Sequence, residues 1–331
     1  MSPASFSHPD LPPEQSKALH AAIRLEWITV GVVAGIVVIV GLTAGSSQAM
    51  RTAFAEDMLS FLPPLAFLVA VRRARKPPDD KHPYGFHRSV GAGHLVASCA
   101  LLGMGLWLSI DATLGLLKGD RPPIGVMSIA GFTFWAGWAM IAAMVISSIP
   151  PMILGRMKMK LAGPLNDKVL AADADMNKAD WSTGLATIAG VTGIGLGLWW
   201  ADSAAALLVS VSILKDGGTN VRGAVKDLLD SRATTVDGKA PHPLIGDMAA
   251  VVHRENWVET TAVRVRDMGH VFHAEVFVVP KDGHDPTMEQ VGSLTDQCRN
   301  LDWKVRDTVV VPVRYLPDGL TAVGNPVISP R

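Results

Sequence analysis

The octapeptide Asp173-Ala174-Asp175-Met176-Asn177-Lys178-Ala179-Asp180 heads an apolar stretch that continues to Trp200. An ionisable side chain inside a bilayer costs roughly 2.5–3.5 kcal/mol on insertion scales, so such groups face a protein interior and mark a pathway. With side chains three and four residues apart stacked on a helix, Asp173, Met176, Asn177 and Asp180 share one face. A second acidic pair, Glu56 and Asp57, opens another apolar segment. Two carboxylate clusters on two membrane helices point to a cation site between them.

The bulk composition places that site in a membrane. Of 331 residues, 49% are hydrophobic and 18% charged, against about a quarter charged in a soluble domain; the mean hydropathy is +0.28. Segments near residues 27–46, 50–71, 89–117, 125–152, 169–200 and 202–214 are apolar enough to be spans, at about 20 residues per crossing. The sixth is the weakest, since only Ala204 to Leu214 is strongly apolar and its helix must run on into Asn220 and Val221. After about residue 225 the composition becomes that of a soluble domain. A net charge of zero gives no footing for nucleic acid, and no nucleophile, base and orienting acid stand in an order that suggests an enzyme.

Basic residues beside the spans set the orientation. The connection after the second span carries Arg72, Arg73, Arg75, Lys76, Lys81 and Arg88, and the one after the fourth carries Arg156, Lys158, Lys160 and Lys168. Both are expected on the cytoplasmic side, with both termini, in a multi-pass protein of the inner (plasma) membrane. Residues 1–24, with Pro3, Pro9, Pro12 and Pro13, read as a disordered or weakly helical cytosolic arm rather than a cleaved signal peptide. Cys99 and Cys298 are too few and too far apart for a disulfide framework or a thiolate metal site and read as isolated buried thiols.

The tail reads as helix (241–254), strand (260–267), strand (271–279), helix (285–301, opened by Asp285-Pro286) and strand (308–314). Val263 and Val265 alternate with Arg264 and Arg266, the period of a half-buried strand. That order predicts a small two-layer α+β unit over residues 240–318. Pro63-Pro64 is expected to kink the second span and Pro150-Pro151 to end the fourth. Gly184, Gly190, Gly193, Gly195 and Gly197 allow a neighbouring helix to approach the fifth closely.

These features together resemble the cation diffusion facilitator family of dimeric divalent-metal exporters. The resemblance rests on six spans, the α-β-β-α-β tail, the connection Pro78-Asp79-Asp80-Lys81-His82-Pro83-Tyr84-Gly85-Phe86-His87-Arg88, and Asp173-Ala174 through Ala179-Asp180, and covers residues 25 to 316. It implies an α-helical membrane protein with six transmembrane helices in residues 25–225, followed by a C-terminal cytosolic α+β ferredoxin-like domain. It also implies a homodimer that exchanges a divalent cation, as substrate rather than cofactor, for protons, in contact with membrane lipid.

The family's transport pocket takes two residues one turn apart on the second span and two on the fifth. Matched to this chain, these are Glu56 with Ser60 and Met176 with Asp180. A hydroxyl and a thioether thus stand where the family usually has a carboxylate and an imidazole. Asp173 and Asn177 are positioned to rebuild the shell, and oxygen donors favour manganese or iron over zinc, whereas Met176 pulls the other way. Asp57 points about 100° from Glu56, and Asp173 reads equally as a helix cap or a partner of a ligand. Lys178 is placed to neutralise one of these acids. Asp79, His82 and His87 form a weaker candidate for an accessory metal, with a solvated loop against lipid headgroups as the plainer reading. His94 and Asp111 read as proton-path groups or as buried hydrogen-bonded residues. The family's tail metal positions fall near Val276 and Pro312, which cannot ligate, so no binuclear tail site is expected. The alternative function is a non-transporting membrane scaffold or regulatory protein whose metal site has eroded.

Overall fold

The computed structural model describes residues 11–43, 57–119, 126–129 and 132–317. Glu56, half of the expected second-span pair, lies outside them. The chain forms two compact units, one gathering Glu14–Arg73 with Ala92–Val225 and the other Ala74–Gly91 with the residues from Lys226 onward.

In the first unit the helices are α1 (Pro13–Thr43), α2 (Leu62–Ala74), α3 (Ser89–Lys118), α4 (Ala136–Leu165), α5 (Lys168–Gly195) and α6 (Ala201–Leu228), with the ends of α2, α3 and α6 reaching into the second. Among the described residues, three helical stretches are long and apolar enough to cross a membrane: Pro13–Val38, Ser89–Lys118 and Met140–Leu165. α5 and α6 have 28 residues each, about 42 Å at 1.5 Å per residue. Their length suffices for a crossing, but the charges of Asp173, Asp175, Lys178 and Asp180 on one, and of Lys215 and Asp216 on the other, lower their hydropathy. The described part of α2 has 13 residues.

Four boundaries differ from the sequence reading, each for a local reason. α1 starts at Pro13, inside the stretch expected to be a disordered or weakly helical arm. Proline suits the first turn of a helix, and the strong helix formers that follow bury Leu19, Ala22 and Leu25. In the second span the helix breaks at Ser60-Phe61, so Pro63 and Pro64 occupy the first turn of α2 and their missing N–H groups cost it nothing. The expected start of the fourth span is instead a hairpin, β1 (Val126–Ile129) paired antiparallel with β2 (Phe132–Trp135), built from β-favouring residues. α4 then runs through Pro150 and Pro151 and on through Arg156, Lys158 and Lys160 to Leu165. Its packing along α5 holds the helix together across the prolines.

A tight turn joins α4 to α5. Asn166 takes the left-handed conformation with φ of 44°, and the Asp167 side chain caps α5 by accepting from the N–H groups of Val169 (2.9 Å) and Leu170 (3.0 Å). The cap of α5 is therefore Asp167, not Asp173. Close approach follows: a Cβ on Gly155 of α4 would stand 3.0 Å from the Cβ of Asn177, and one on Gly190 of α5 would stand 2.5 Å from the Cα of Asp202 on α6. α6 also meets α3, where Ser109 donates to Ser210 at 2.8 Å.

The second unit contains α7 (Leu244–His253), β3 (Val258–Asp267), β4 (Phe272–Pro280), α8 (Met288–Arg299) and β5 (Val305–Pro312). β3 and β4 run antiparallel, with Arg264 opposite Glu275, while β4 and β5 run parallel, with Val276 opposite Val310. The strand order is β3-β4-β5; α7 packs on β3 and α8 on β5. The core joins Leu244, Met248 and Val252 of α7 to Val265, Phe272, Val276, Val278, Leu294, Cys298 and Val310. α8 opens on a capping box between Thr287 and Gln290 rather than on Asp285-Pro286. The connection 75–88 belongs to this unit: Arg88 donates to the Leu228 carbonyl at 3.1 Å and pairs with Asp230, while Gly269, at φ of 98°, leaves room for Val90.

Of the two cysteines, Cys298 is buried, but Cys99 is exposed on the outer face of α3. Burial pushes the Cys298 thiol up to about 11. Its thiolate fraction at pH 8 is then about 10⁻³, and native Cys298 is expected to resist iodoacetamide at that pH until denaturant is added. Mass spectrometry of the alkylated tail peptide before and after unfolding checks this.

Candidate metal centre

The acids of α5 are distributed among three neighbours. Asp173, which is 1% exposed, points at Lys158 of α4, whose Nζ donates to its Oδ2 at 2.7 Å. The same ammonium stands 3.0 Å from Oε2 of Glu26 on α1, and both Lys158 and Glu26 are fully buried. Asn177 donates to the carbonyl (2.9 Å) and Oδ1 (3.3 Å) of Asp173. Both oxygens of the Asp173 carboxylate are therefore engaged by protein donors.

Asp175, on the opposite face of α5, accepts from Asn220 of α6 at 2.8 Å. Lys178 pairs with Asp216 of α6 at 2.7 Å and also attracts Asp175 of its own helix. Asp180 returns to the Asp173 face two turns on. There Ser60, at the break before α2, donates its hydroxyl to Asp180 Oδ1 at 3.0 Å. Asp57, Asp173 and Lys158 also act electrostatically on Asp180. Thr183 donates to the carbonyls of Ala179 (3.1 Å) and Asp180 (2.8 Å), holding that turn.

Met176 is 1% exposed and lies in an apolar cluster with Ala100, Leu101, Met104 and Leu108 of α3 and Ile213 of α6, with Leu59 packed against it. The structure thus joins Ser60 to Asp180, seats Met176 among hydrocarbon side chains, and commits Asp173 and Asn177 to Lys158 and to each other. Among the described residues no group of three or more His, Cys, Asp or Glu is placed to hold a metal ion.

In the connection, Asp79 Oδ1 accepts from the main-chain N–H groups of Lys81 (3.0 Å) and His82 (2.6 Å) and meets the His82 ring nitrogen at 2.8 Å. The His82 side-chain hydrogen bond is the chief cause holding the Asp79 carboxyl below its ordinary range. The His82 ring also lies 4.3 Å from that of Phe86, so this pair is the closure of an exposed turn. His87 is half-buried. His94 is buried, whereas Asp111 is exposed. In the tail, His273 lies between Glu275 (3.3 Å) and Asp307 (3.7 Å).

Two residues of this polar network escaped the sequence reading. Glu26 stands one residue before the expected first span, and Lys158 was counted among the loop charges that set orientation. The available signal was spacing: Lys158 precedes Asp173 by 15 residues, the distance across a short antiparallel helical hairpin.

The helical unit carries apolar stretches long enough to cross a membrane and an acidic α5 face that meets Ser60. Residues 26–229 match the cation efflux transmembrane domain, and the chain belongs to the cation efflux family. It is 25% identical over 264 residues to the manganese efflux system protein MneP of Bacillus subtilis, covering 77% of this chain and 82% of that protein. To the manganese efflux system protein MneS of the same organism it is 24% identical, covering 51% of this chain and 54% of that protein. Mitochondrial metal transporter 1 of Saccharomyces cerevisiae is 26% identical over 66% of this chain and 46% of its own length. The chain therefore spans about half the length of two of these three relatives.

Removing one partner from a buried ion pair leaves an uncompensated charge and costs about 3–5 kcal/mol. Lys158→Met is expected to lower the thermal midpoint of the purified protein in detergent sharply, and Lys158→Met with Glu26→Gln to regain part of the loss. A double-mutant cycle on the unfolding midpoints measures the coupling.

Proposed function

We propose that the protein exports a divalent metal cation from the cytoplasm in exchange for protons, as a six-crossing homodimer of the inner (plasma) membrane with its C-terminal sheet in the cytoplasm. The observation that carries the reading is the Ser60–Asp180 contact at 3.0 Å, inside the region that matches the cation efflux domain. It joins the break before α2 to the acidic face of α5, the two places from which the family builds its pocket. Asp180, Glu56 and Ser60 carry the cation, Asp57 adds negative charge beside them, and Met176 walls the pocket.

The donors are oxygens, which suit manganese or iron better than zinc. The manganese efflux names of two relatives support the same preference. Proton exchange follows from the ligand type, because carboxylates hold metal when deprotonated and release it when protonated. A second reading, a membrane scaffold that no longer moves ions, draws on the apolar surroundings of Met176 and the commitment of Asp173 to Lys158. Uptake into inverted vesicles under an imposed pH gradient, across manganese, iron, zinc and cobalt, decides between them. Transport of none of these ions favours the scaffold.

Asp180→Ala is expected to abolish manganese uptake while the protein still folds and inserts. Glu56→Gln keeps size and polarity and is expected to weaken metal binding at least tenfold, or about 1.4 kcal/mol by calorimetry. Equal affinity would remove Glu56 from the pocket.

Met176 separates two models of the shell. As packing it tolerates Leu with little loss of transport, since methionine commonly fills gaps in cores. As a ligand position its replacement by His raises zinc transport relative to manganese, imidazole being a far better zinc ligand than a thioether. The surrounding cluster leads us to expect an active Met176→Leu variant and an unchanged ion preference in Met176→His, both read from the same vesicle assay.

A further inference from the structure

We infer that Glu26 and Asp173 form a second cation seat, between α1, α4 and α5, that the Lys158 ammonium fills as a tethered resident cation and that a divalent cation takes when the lysine is removed. Carboxylates from two helices converge on one nitrogen, at 3.0 Å from Glu26 and 2.7 Å from Asp173. The three side chains are 0–1% exposed, so bulk solvent does not reach them.

The seat holds more acceptor capacity than its occupant uses. Oε1 of Glu26 is fully buried and makes no hydrogen bond, and the Lys158 contact to Oε2 is close in distance without hydrogen-bond alignment. One ammonium lies between two carboxyl groups that also touch each other. A buried carboxylate left short of donors and counter-charge is costly, and a divalent ion balances both carboxylates where the ammonium balances one. Magnesium and manganese are bound by such carboxylate oxygens.

The place of the seat gives the lysine its role. Asp173 and Asp180 lie on one face of α5, and Asp173 and Lys158 act electrostatically on Asp180. An ion released from Asp180 therefore has a second pair of carboxylates two turns away. The resident ammonium keeps that pair from capturing it. This consequence for transport rests on the proposed export function, whereas the seat itself does not.

The test uses the full-length protein in detergent with manganese as the probe, on an Asp180→Asn background that disables the transport pocket. Asp180→Asn alone is expected to bind manganese weakly or not at all. Asp180→Asn with Lys158→Ala is expected to bind one further ion per protomer by calorimetry, at least tenfold tighter than the background, and to gain thermal stability with manganese. Adding Glu26→Gln is expected to remove that binding. Equal manganese binding with and without Lys158 overturns the inference, as does binding that survives Glu26→Gln. If the lysine variant folds only when prepared in manganese, the metal has replaced the ammonium; if Lys158→Gln, which keeps a neutral donor between the two carboxyls, folds without manganese and binds none, the seat takes no metal. Loss of Asp180-dependent uptake in the wild-type protein would count against export while leaving the calorimetric result standing.

Discussion

The ammonium of Lys158, closed in between Glu26 and Asp173, is the contact on which the helical unit's polar interior depends. Three helices meet there with the three side chains 0–1% exposed, and each of the three groups is tolerable only because the others are present. The approach of α4 to α5 makes it possible: Gly155 lies one turn before Lys158 and presents no side chain to Asn177. With Asp173 held, the orientation of α5 about its own axis is set, and that orientation determines where its remaining acids face.

α5 then divides its charges by face. Asp175 and Lys178 engage Asn220 and Asp216 of α6, Asp173 engages α4 and α1, and Asp180 receives the Ser60 hydroxyl. The short, strongly acidic run that looks like one cluster in the sequence is three separate contacts in space. Only at Asp180 does a carboxylate face a break in a neighbouring helix, where backbone regularity already gives way. Packing around Met176 closes the same region with hydrocarbon.

The periodic parts of the chain were legible from sequence. Alternation in Thr260–Asp267 fixes the face of β3, and the tail's order of elements is as read, although β5 begins at Val305 rather than Thr308. Helical periodicity puts Asp173, Met176, Asn177 and Asp180 on one side of α5, but their partners there are different: Lys158, an apolar cluster and Ser60. What sequence could not assign was partner choice. Lys158 satisfies the rule for loop charges as well as any residue near it, and only the length of α4, carried through two prolines by its contact with α5, converts it to a buried group. Met176 stands where a ligand is expected by spacing, yet spacing along one helix carries no information about the Leu101, Met104 and Ile213 that surround it. The Thr287–Gln290 spacing is that of a capping box, and the neighbouring Asp285-Pro286 offers a competing helix start in the sequence.

The Asn166-Asp167 turn also bears on how such a chain enters a bilayer. In the six-crossing arrangement proposed above, placing α4 and α5 one at a time would leave Lys158 and Asp173 each alone in hydrocarbon at roughly 2.5–3.5 kcal/mol. Delivered together as a closed hairpin, with the ion pair already formed 15 residues apart in sequence, they present a neutral pair to lipid. Glu26 on α1 is the third group of that contact, 3.0 Å from the Lys158 ammonium, so in that arrangement α1 would dock on a hairpin whose polar surface is already formed.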